Sequence, residues 1–419
     1  MSQSTLDSYV TDRPAGRPKG GPGPLRKALE ALASLRLTVV LFALSLVLVF
    51  CGTLAQVDNG IWTVVNKYFR SLFVWVPLQI FVPRTVRVGG GFPFPGGWTI
   101  GGLLLLNLLA AHAVRFKLSW KRAGILVLHA GVILLLVGEL VTGLFAVEAR
   151  MTIDEGDTVN YVEDSRKYEL AVIDRSDPAA DVVVSVPASR LEAGGVISDP
   201  RLPFDIAVEQ YMANSALDKR PMSPAPATAG HGLRVKAAPR GEVAGTDTKQ
   251  TSDIPSAYVT LRPKGGGEPI GTYLVSLWFS AVAPALPPQT VKVGDKTYGL
   301  DLRFRREYKP YSLRLVEFRF DRYPGTDIPK NYSSQVRLRD PETGEDREVV
   351  IRMNAPLRYR GDTFYQSSFD DATEKTTVLQ VVRNPGAWIP YVSCGLVFVG
   401  MLYHFGFTLI GFLERRAAS

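Results

Sequence analysis

The sequence is poor in cysteine and histidine, and this narrows the chemistry that it can carry. Its 419 residues include two cysteines, Cys51 and Cys394, and four histidines. Both cysteines fall inside strongly apolar stretches, so the polar part of the chain has no disulfide framework, no CxxC redox pair and no cysteine zinc site. The chain also lacks CxxCH, which excludes covalent haem attachment to this protein itself. The hydrolase and nucleotide-binding signatures GxSxG, HExxH and Walker A are absent as well.

Four stretches of the chain are, in contrast, almost continuously apolar. Each approaches or exceeds the ~20 residues that a helix needs to cross ~30 Å of hydrocarbon. The predicted membrane helices are residues 37–56, 98–114, 123–145 and 388–412. The sequence therefore excludes a purely soluble protein, and it also excludes collagen, a coiled coil and a disordered chain.

The net charge of +8 is concentrated beside the predicted membrane helices. Residues 1–145 contain 14 Lys and Arg against five Asp and Glu, whereas residues 146–387 are slightly acidic. This distribution argues against nucleic-acid binding. Because short loops rich in Lys and Arg stay in the cytoplasm, both termini and the link 115–122 are predicted to be cytoplasmic. The loop 57–97 and the segment 146–387 then lie outside, in a periplasm or its equivalent.

The polar segments near the membrane have different compositions. Residues 1–36 are rich in Pro and Gly and are predicted to form a flexible cytoplasmic leader. Residues 413–419 are a short cytoplasmic tail. The loop 57–97 mixes aromatic residues with Pro and Gly, and we expect it to lie on the membrane surface or against a partner.

The segment 146–387 predicts a β domain. Short runs of alternating β-branched and aromatic residues are separated by Gly, Pro, Asp and Asn, a pattern typical of an antiparallel sandwich or partly open barrel. Residues 214–256 interrupt it with a composition that predicts a mobile insertion. The predicted fold is therefore an integral membrane α-helical protein with four transmembrane helices and a large extracytoplasmic, mostly-β domain.

Three of the four histidines lie inside predicted membrane helices: His112, His129 and His404. At ~1.5 Å per residue they lie about 5, 9 and 13 Å from the cytoplasmic ends of their helices. Ionisable residues at such depths point to a functional site. Simpler roles are an interfacial position for His112 and a hydrogen bond to a neighbouring helix for His404. His231 falls in the insertion 214–256, where a solvated loop residue is the simplest interpretation.

The third membrane helix has two distinct faces. Gly124, Gly131 and Gly138 recur every seven residues and form one stripe along which another helix can approach closely. His129 points about 160° away from that stripe at ~100° per residue. This arrangement suggests a ligand to something held between this helix and a second protein. Glu139, near the outer end of the same helix, is a candidate proton or ion site, or a residue that pairs locally or reaches outward.

Several segments taken together resemble the ResB (Ccs-type) cytochrome c biogenesis proteins of the system II pathway. The resemblance extends along most of the chain and follows the order of three membrane helices, a β domain and a fourth helix. It rests on CGTLAQ (51–56), KRAGILVLHAGVILLLVGELVTGLF (121–145), EARMTIDEGDTVNY (148–161), NYSSQVRLRDPETGE (331–345), MNAPLRYRGDTFYQSSF (353–369) and NPGAWIPYVSCGLVFVGM (384–401).

The resemblance implies a membrane subunit of a cytochrome c synthetase that acts with a ResC/CcsA-type partner. Such a complex brings haem across the membrane and attaches it to apocytochrome c. A histidine of the ResB part pairs with one from the partner to ligate a transient haem b inside the bilayer. The HAG sequence makes His129 the first candidate for the axial ligand, with His112 second and His404 third. The tryptophan-rich segment that presents haem belongs to the partner, so this chain is expected to be a non-catalytic or co-catalytic subunit.

Two other functions fit the sequence. The first is a small-solute transporter that depends on Glu139, although no inverted repeat of broken helices supports it. The second is a membrane-anchored scaffold or chaperone without haem ligation, in which the β domain does the work.

Overall fold

The computed structural model describes residues 23–83, 85–115, 119–177, 180–218, 226–243, 253–282, 286–326, 329–370 and 373–418. It comprises a helical part and a large β domain that is inserted before the last helix. The α-helices are α1 (Pro24–Leu32), α2 (Leu35–Ala55), α3 (Ile61–Val64), α4 (Gly97–Arg115), α5 (Ala123–Phe145), α6 (Ala188–Ala193) and α7 (Ile389–Ala417).

Four of these helices, α2, α4, α5 and α7, are long and apolar enough to cross a membrane. At most 22% of the most apolar window of each is buried within the chain. Apolar side chains on their surfaces therefore have to face lipid or another protein. The predicted combination of four apolar helices with a mostly-β domain is confirmed.

The glycine stripe of α5 packs against α7. A Cβ on Gly131 would lie 2.8 Å from the Ser393 carbonyl oxygen, and one on Gly138 would lie 2.5 Å from Cγ2 of Ile389. Only a residue without a side chain permits this approach of two helices. α2 and α4 form the other helix pair of the bundle, so the helices are arranged as two pairs that meet through α4 and α5.

The described part of the predicted flexible leader is helical. Pro24 occupies the first turn of α1, where its missing N–H costs nothing. The side-chain amide of Asn107 in α4 donates to the carbonyl oxygens of Leu32 (2.5 Å) and Ser34 (3.1 Å), which join α1 to α2. The leader therefore differs from the expectation at residues 24–32, while residues 1–22 lie outside the described part of the chain.

The loop between α2 and α4 is folded. It contains α3, a π-helical turn at Val65–Phe69 and a hairpin of β1 (Phe73–Pro77) with β2 (Gly91–Pro95). It packs on the end of α2, and the Arg166 guanidinium of the β domain lies 3.2 Å from the centroid of a Trp62 ring. The loop, which we expected to lie on the membrane surface or against a partner, thus contacts this chain's own β domain.

The β domain begins two residues after α5 and ends shortly before α7. Its strands are β3 (Val147–Asp154), β4 (Thr158–Asp174), β5 (Val182–Pro187), β6 (Gly195–Ile197), β7 (Phe204–Met212), β8 (Ser215–Asp218), β9 (Lys236–Pro239), β10 (Ser256–Pro263), β11 (Gly271–Ser276), β12 (Gln289–Val293), β13 (Lys296–Arg322), β14 (Pro329–Asp340), β15 (Glu345–Arg352), β16 (Leu357–Tyr359), β17 (Asp362–Phe369) and β18 (Thr376–Arg383).

Ten of these strands form one sheet that curls until it nearly closes. Its order is β15-β14-β13-β4-β3-β18-β17-β16, with β5 added to β4 and β12 added to β13, and every pair is antiparallel. A bridge between Arg352 and Ala355 brings the two ends of the sheet together. Alternate side chains fill the interior, among them Met151, Leu313 and Phe364, each at most 1% exposed.

The strands β4 and β13 extend beyond this barrel and form part of a second layered core. There they pack with β5 and β12 against a four-stranded sheet of order β11-β10-β7-β6. A register shift between Phe304 and Arg306 marks the place where β13 passes from one core to the other. The sequence predicted a sandwich or a partly open barrel, and the domain combines the two.

The described part of the insertion 214–256 is ordered, unlike the expectation. β8 pairs with β9, and Ala237 is buried with Tyr258 and Leu274 of the neighbouring sheet. Leu217 and Val235 of the segment pack against the same cluster, and the sheet provides the rest of the apolar surface. Residues 219–225 and 244–252 lie outside the described residues.

Candidate functional site

Two of the predicted site residues, His112 and His129, lie in contact between α4 and α5. The Nε2 atom of His112 is 3.2 Å from Nδ1 of His129. The rings meet edge to face, with centroids 4.9 Å apart and an interplanar angle of 87°. The Nδ1 atom of His112 lies 2.8 Å from the Leu108 carbonyl oxygen of its own helix. Both side chains are half-buried among apolar residues.

The two faces of α5 explain why His129 meets α4. Its glycine face is occupied by α7, so the opposite face, which carries His129, is left for another element. The link 115–122 is short, which keeps the ends of α4 and α5 close together. The sequence suggested that the imidazole would bind something held between this helix and a second protein, and the structure places His112 of the same chain beside it.

His404, the third candidate, is separate from this pair. Its backbone nitrogen would lie 2.7 Å from a Cβ on Gly124, which puts α7 at this point on the opposite side of α5 from His129. Its ring lies beside Phe405, with centroids 5.5 Å apart. Glu139 is exposed on α5, and among the described residues it forms no ion pair.

His231 is more than a solvated loop residue. Its Nε2 atom lies 3.0 Å from the Pro287 carbonyl oxygen, and its ring centroid is 4.9 Å from that of Phe279. It lines a cavity of about 200 Å³ in the β domain, together with the carboxyl-bearing residue Asp301 and Arg306. These contacts hold the described part of the insertion onto the domain.

The donor set at the histidine pair suits haem better than a bare metal ion. Among the residues that the structure describes, no group of three or more His, Cys, Asp or Glu side chains could hold a metal. A zinc site needs three or four protein ligands. Haem iron brings four nitrogens of its own and takes one or two axial ligands from protein, often histidine. The pair His112–His129 can supply such an axial ligand in an apolar setting.

Sequence reasoning missed a buried charged cluster at the end of the barrel nearest α5 and α7. The carboxylate of Asp362 is 1% exposed. It accepts hydrogen bonds from Tyr311 (2.5 Å) and Arg383 (2.8 Å), and it forms an ion pair with Lys309 (3.1 Å). Burial alone would raise the pKa of Asp362, but the bonds from Arg383 and Tyr311 and the charge of Lys309 hold it below its ordinary value. Burial and the bond to Asp362 raise the pKa of Tyr311. The sequence RYRGD, which ends at Asp362, was part of a segment that resembles the ResB proteins. It did not indicate which residues contact Asp362.

The arrangement defines a class of protein: a multi-helix membrane protein that carries a histidine pair between two helices and a nearly closed β domain before its last helix. Residues 113–214 and 289–378 match the ResB-like family. These segments include α5 with His129 and most strands of the nearly closed sheet, whereas His112 lies immediately before the first of them. The chain is similar to the ResB-like family over these residues, so the predicted resemblance is confirmed.

One relative supports this assignment. The chain is 35% identical over 123 residues to Protein NrfI of Wolinella succinogenes. The shared stretch makes up 29% of this chain and 14% of that protein. The chain thus matches only a small part of the length of this relative.

Proposed function

We propose that this protein takes part in cytochrome c biogenesis, as the membrane subunit of a system II cytochrome c synthetase. It acts with a ResC/CcsA-type partner in moving haem across the membrane and attaching it to apocytochrome c. The match of residues 113–214 and 289–378 to the ResB-like family and the similarity to part of NrfI support this role.

The observation that carries the proposal is the contact of His129 with a second imidazole inside a bundle of apolar helices. A polar pair at this depth is costly in hydrocarbon and marks a functional site. In the proposal haem b is a transient cargo, and His129 provides one axial ligand to its iron while the partner provides the other. The chain lacks a further histidine at this place among its described residues, which fits a site that is completed by a second protein.

The proposal also assigns the segments of the chain to the two sides of the membrane. The Lys and Arg clusters near both termini and in the link 115–122 favour a cytoplasmic position for these segments. The β domain then lies outside the bacterial inner membrane, where the cytochrome precursor is found. The histidine pair falls in the cytoplasmic half of the bilayer.

The test is an optical spectrum of the full chain purified with a co-expressed ResC/CcsA-type partner. We expect a reduced bis-histidine haem spectrum in the wild-type complex and its loss in His129→Ala. His404→Ala is the matched control, because it removes another histidine of the same bundle that lies away from the pair. A folded wild-type complex without haem would reject the ligand assignment and favour the scaffold function.

A further inference from the structure

The orientation of the two imidazoles points to separate roles for them. We propose that His112 is a positioning residue that accepts the Nδ1–H of His129 and thereby directs the Nε2 lone pair of His129 at the haem iron. This inference rests on the proposed function and deepens it, because it assigns the iron to one nitrogen atom of one histidine.

The tautomers follow from the hydrogen-bond chain. The Leu108 carbonyl oxygen can only accept, so Nδ1 of His112, 2.8 Å away, must carry the proton. Nε2 of a neutral His112 then bears a lone pair. The Nδ1 atom of His129, 3.2 Å from it, must therefore be the donor. A neutral His129 keeps its own Nε2 unprotonated.

That remaining nitrogen is the one suited to bind iron. Within the described part of the chain, Nε2 of His129 takes part in no hydrogen bond, since the contacts of this side chain are those with His112. A histidine that binds a metal usually donates its other ring N–H to a fixed acceptor, which orients the ring and raises its basicity. Here the acceptor is an imidazole anchored to the α4 backbone, where hydrocarbon excludes competing water.

The role predicts a specific effect on haem. An acceptor at Nδ1–H makes the ligand a stronger donor, which favours ferric over ferrous iron. Removing the acceptor should weaken haem retention roughly 10- to 100-fold, the usual cost of losing such a partner. If ferric binding weakens tenfold more than ferrous binding, the reduction potential rises by about 59 mV.

Two substitutions of His112 separate positioning from packing. The Oε1 atom of Gln can occupy the place of Nε2 and accept the same hydrogen bond, whereas Leu fills similar space without an acceptor. Each variant is purified as the full complex with the partner, and its yield and monodispersity are checked first. The measurements are the rate of haem transfer to apomyoglobin and the reduction potential of the bound haem.

We expect His112→Leu to lose haem faster and to have a raised potential, and His112→Gln to stay close to wild type on both. A His112→Leu complex that matches wild type would overturn the positioning role and leave haem binding by His129 intact. A bis-histidine spectrum that persists in His129→Ala and disappears in His112→Leu would overturn it too, because His112 would then be the ligand. A wild-type complex without haem would instead reject the proposed function itself.

Discussion

Gly124 in α5 lies so close to His404 in α7 that a Cβ on the glycine would come within 2.7 Å of the His404 backbone nitrogen. This contact places α7 on one face of α5, while His112 of α4 occupies the other. α5 is therefore the central helix of the membrane part. Its position relative to α7 fixes where His129 lies.

We expect Gly131→Leu to disrupt the packing of α5 on α7. A Cβ there would meet the Ser393 carbonyl oxygen and Cγ2 of Val397, each at 2.8 Å. One of these atoms belongs to backbone, so the helices must separate, at a cost of about 1–3 kcal/mol for overpacking. Thermal unfolding of the purified full chain in detergent measures the loss.

Gly143→Leu is the control for this substitution on the same helix. A Cβ at Gly143 meets nothing within 4 Å. We expect its melting temperature to stay near that of wild type. Equal destabilisation by both substitutions would show that the helix pair does not depend on the glycine stripe.

Part of the membrane site could be predicted from sequence and part could not. The seven-residue glycine spacing fixes which face of α5 packs closely, because helical periodicity is local. The partner of His129 depends on which helix covers the opposite face, and this is a tertiary choice. A signal was nevertheless present: His112 and His129 lie at similar depths, about 5 and 9 Å, in helices joined by a short link.

The β domain shows the same division. Alternation along the chain predicts strands, but it does not indicate that Asp362 of β17 meets Tyr311 and Lys309 of β13, some fifty residues earlier. The composition of the insertion 214–256 predicted a mobile segment. The described part is ordered because it packs against a neighbouring sheet, and local composition carries no information on that sheet. The sequence therefore did not predict the pairing of distant strands or the packing of the insertion on the apolar surface of the sheet.

Asp362→Asn should strongly destabilise the β domain. The substitution keeps the shape of the side chain but leaves Lys309, whose side chain is 4% exposed, with only the partly exposed Glu307 as a counter-charge among its described partners. Breaking a buried charge pair in this way costs about 3 kcal/mol. Chemical denaturation of the full chain, followed by tryptophan fluorescence, gives the change in the free energy of unfolding.

Asp346→Asn provides the comparison for Asp362→Asn. Asp346 also pairs with arginines, Arg337 and Arg339, but on the exposed surface of the sheet. Solvent and salt screen these pairs, so we expect little change in stability. Similar effects of the two substitutions would contradict a special contribution from the buried cluster.

Asp362 and Asp301 should affect stability with opposite dependence on pH. The pKa of Asp362 is held below its ordinary value of 3.8. The ionised carboxylate therefore stabilises the fold above pH 3.8, and this stabilisation disappears as the pH falls through the lowered pKa. Burial raises the pKa of Asp301 above 3.8, and Arg303 and Arg306 offset this only in part. The ionised carboxylate of Asp301 therefore lowers the free energy of unfolding above the raised pKa. This loss vanishes as the pH falls toward 3.8.

Asp301→Asn tests this sign. We expect the variant to be more stable than wild type at pH 7 and equal to it near pH 3.8, as measured by denaturant titration at a series of pH values. Asp295→Asn, in an exposed turn, is the control and should show no such convergence. A variant less stable than wild type at pH 7 would mean that the carboxylate of Asp301 stabilises the fold through its charge.

Asn107→Leu should release α1 from the helix bundle. The Asn107 side chain is 4% exposed; its amide donates to the Leu32 and Ser34 carbonyl oxygens, and its own oxygen accepts from Thr38 at 2.7 Å. A leucine leaves these groups without that partner, at a cost of about 1–3 kcal/mol. Amide hydrogen exchange in peptides covering α1 should accelerate by roughly tenfold or more, since ~1.4 kcal/mol corresponds to a factor of ten. Asn59→Leu is the control, because the side-chain amide of Asn59 donates to the Ala55 carbonyl oxygen at the end of its own helix. Unchanged exchange in Asn107→Leu would show that apolar contacts with α4, rather than this amide, hold α1 in place.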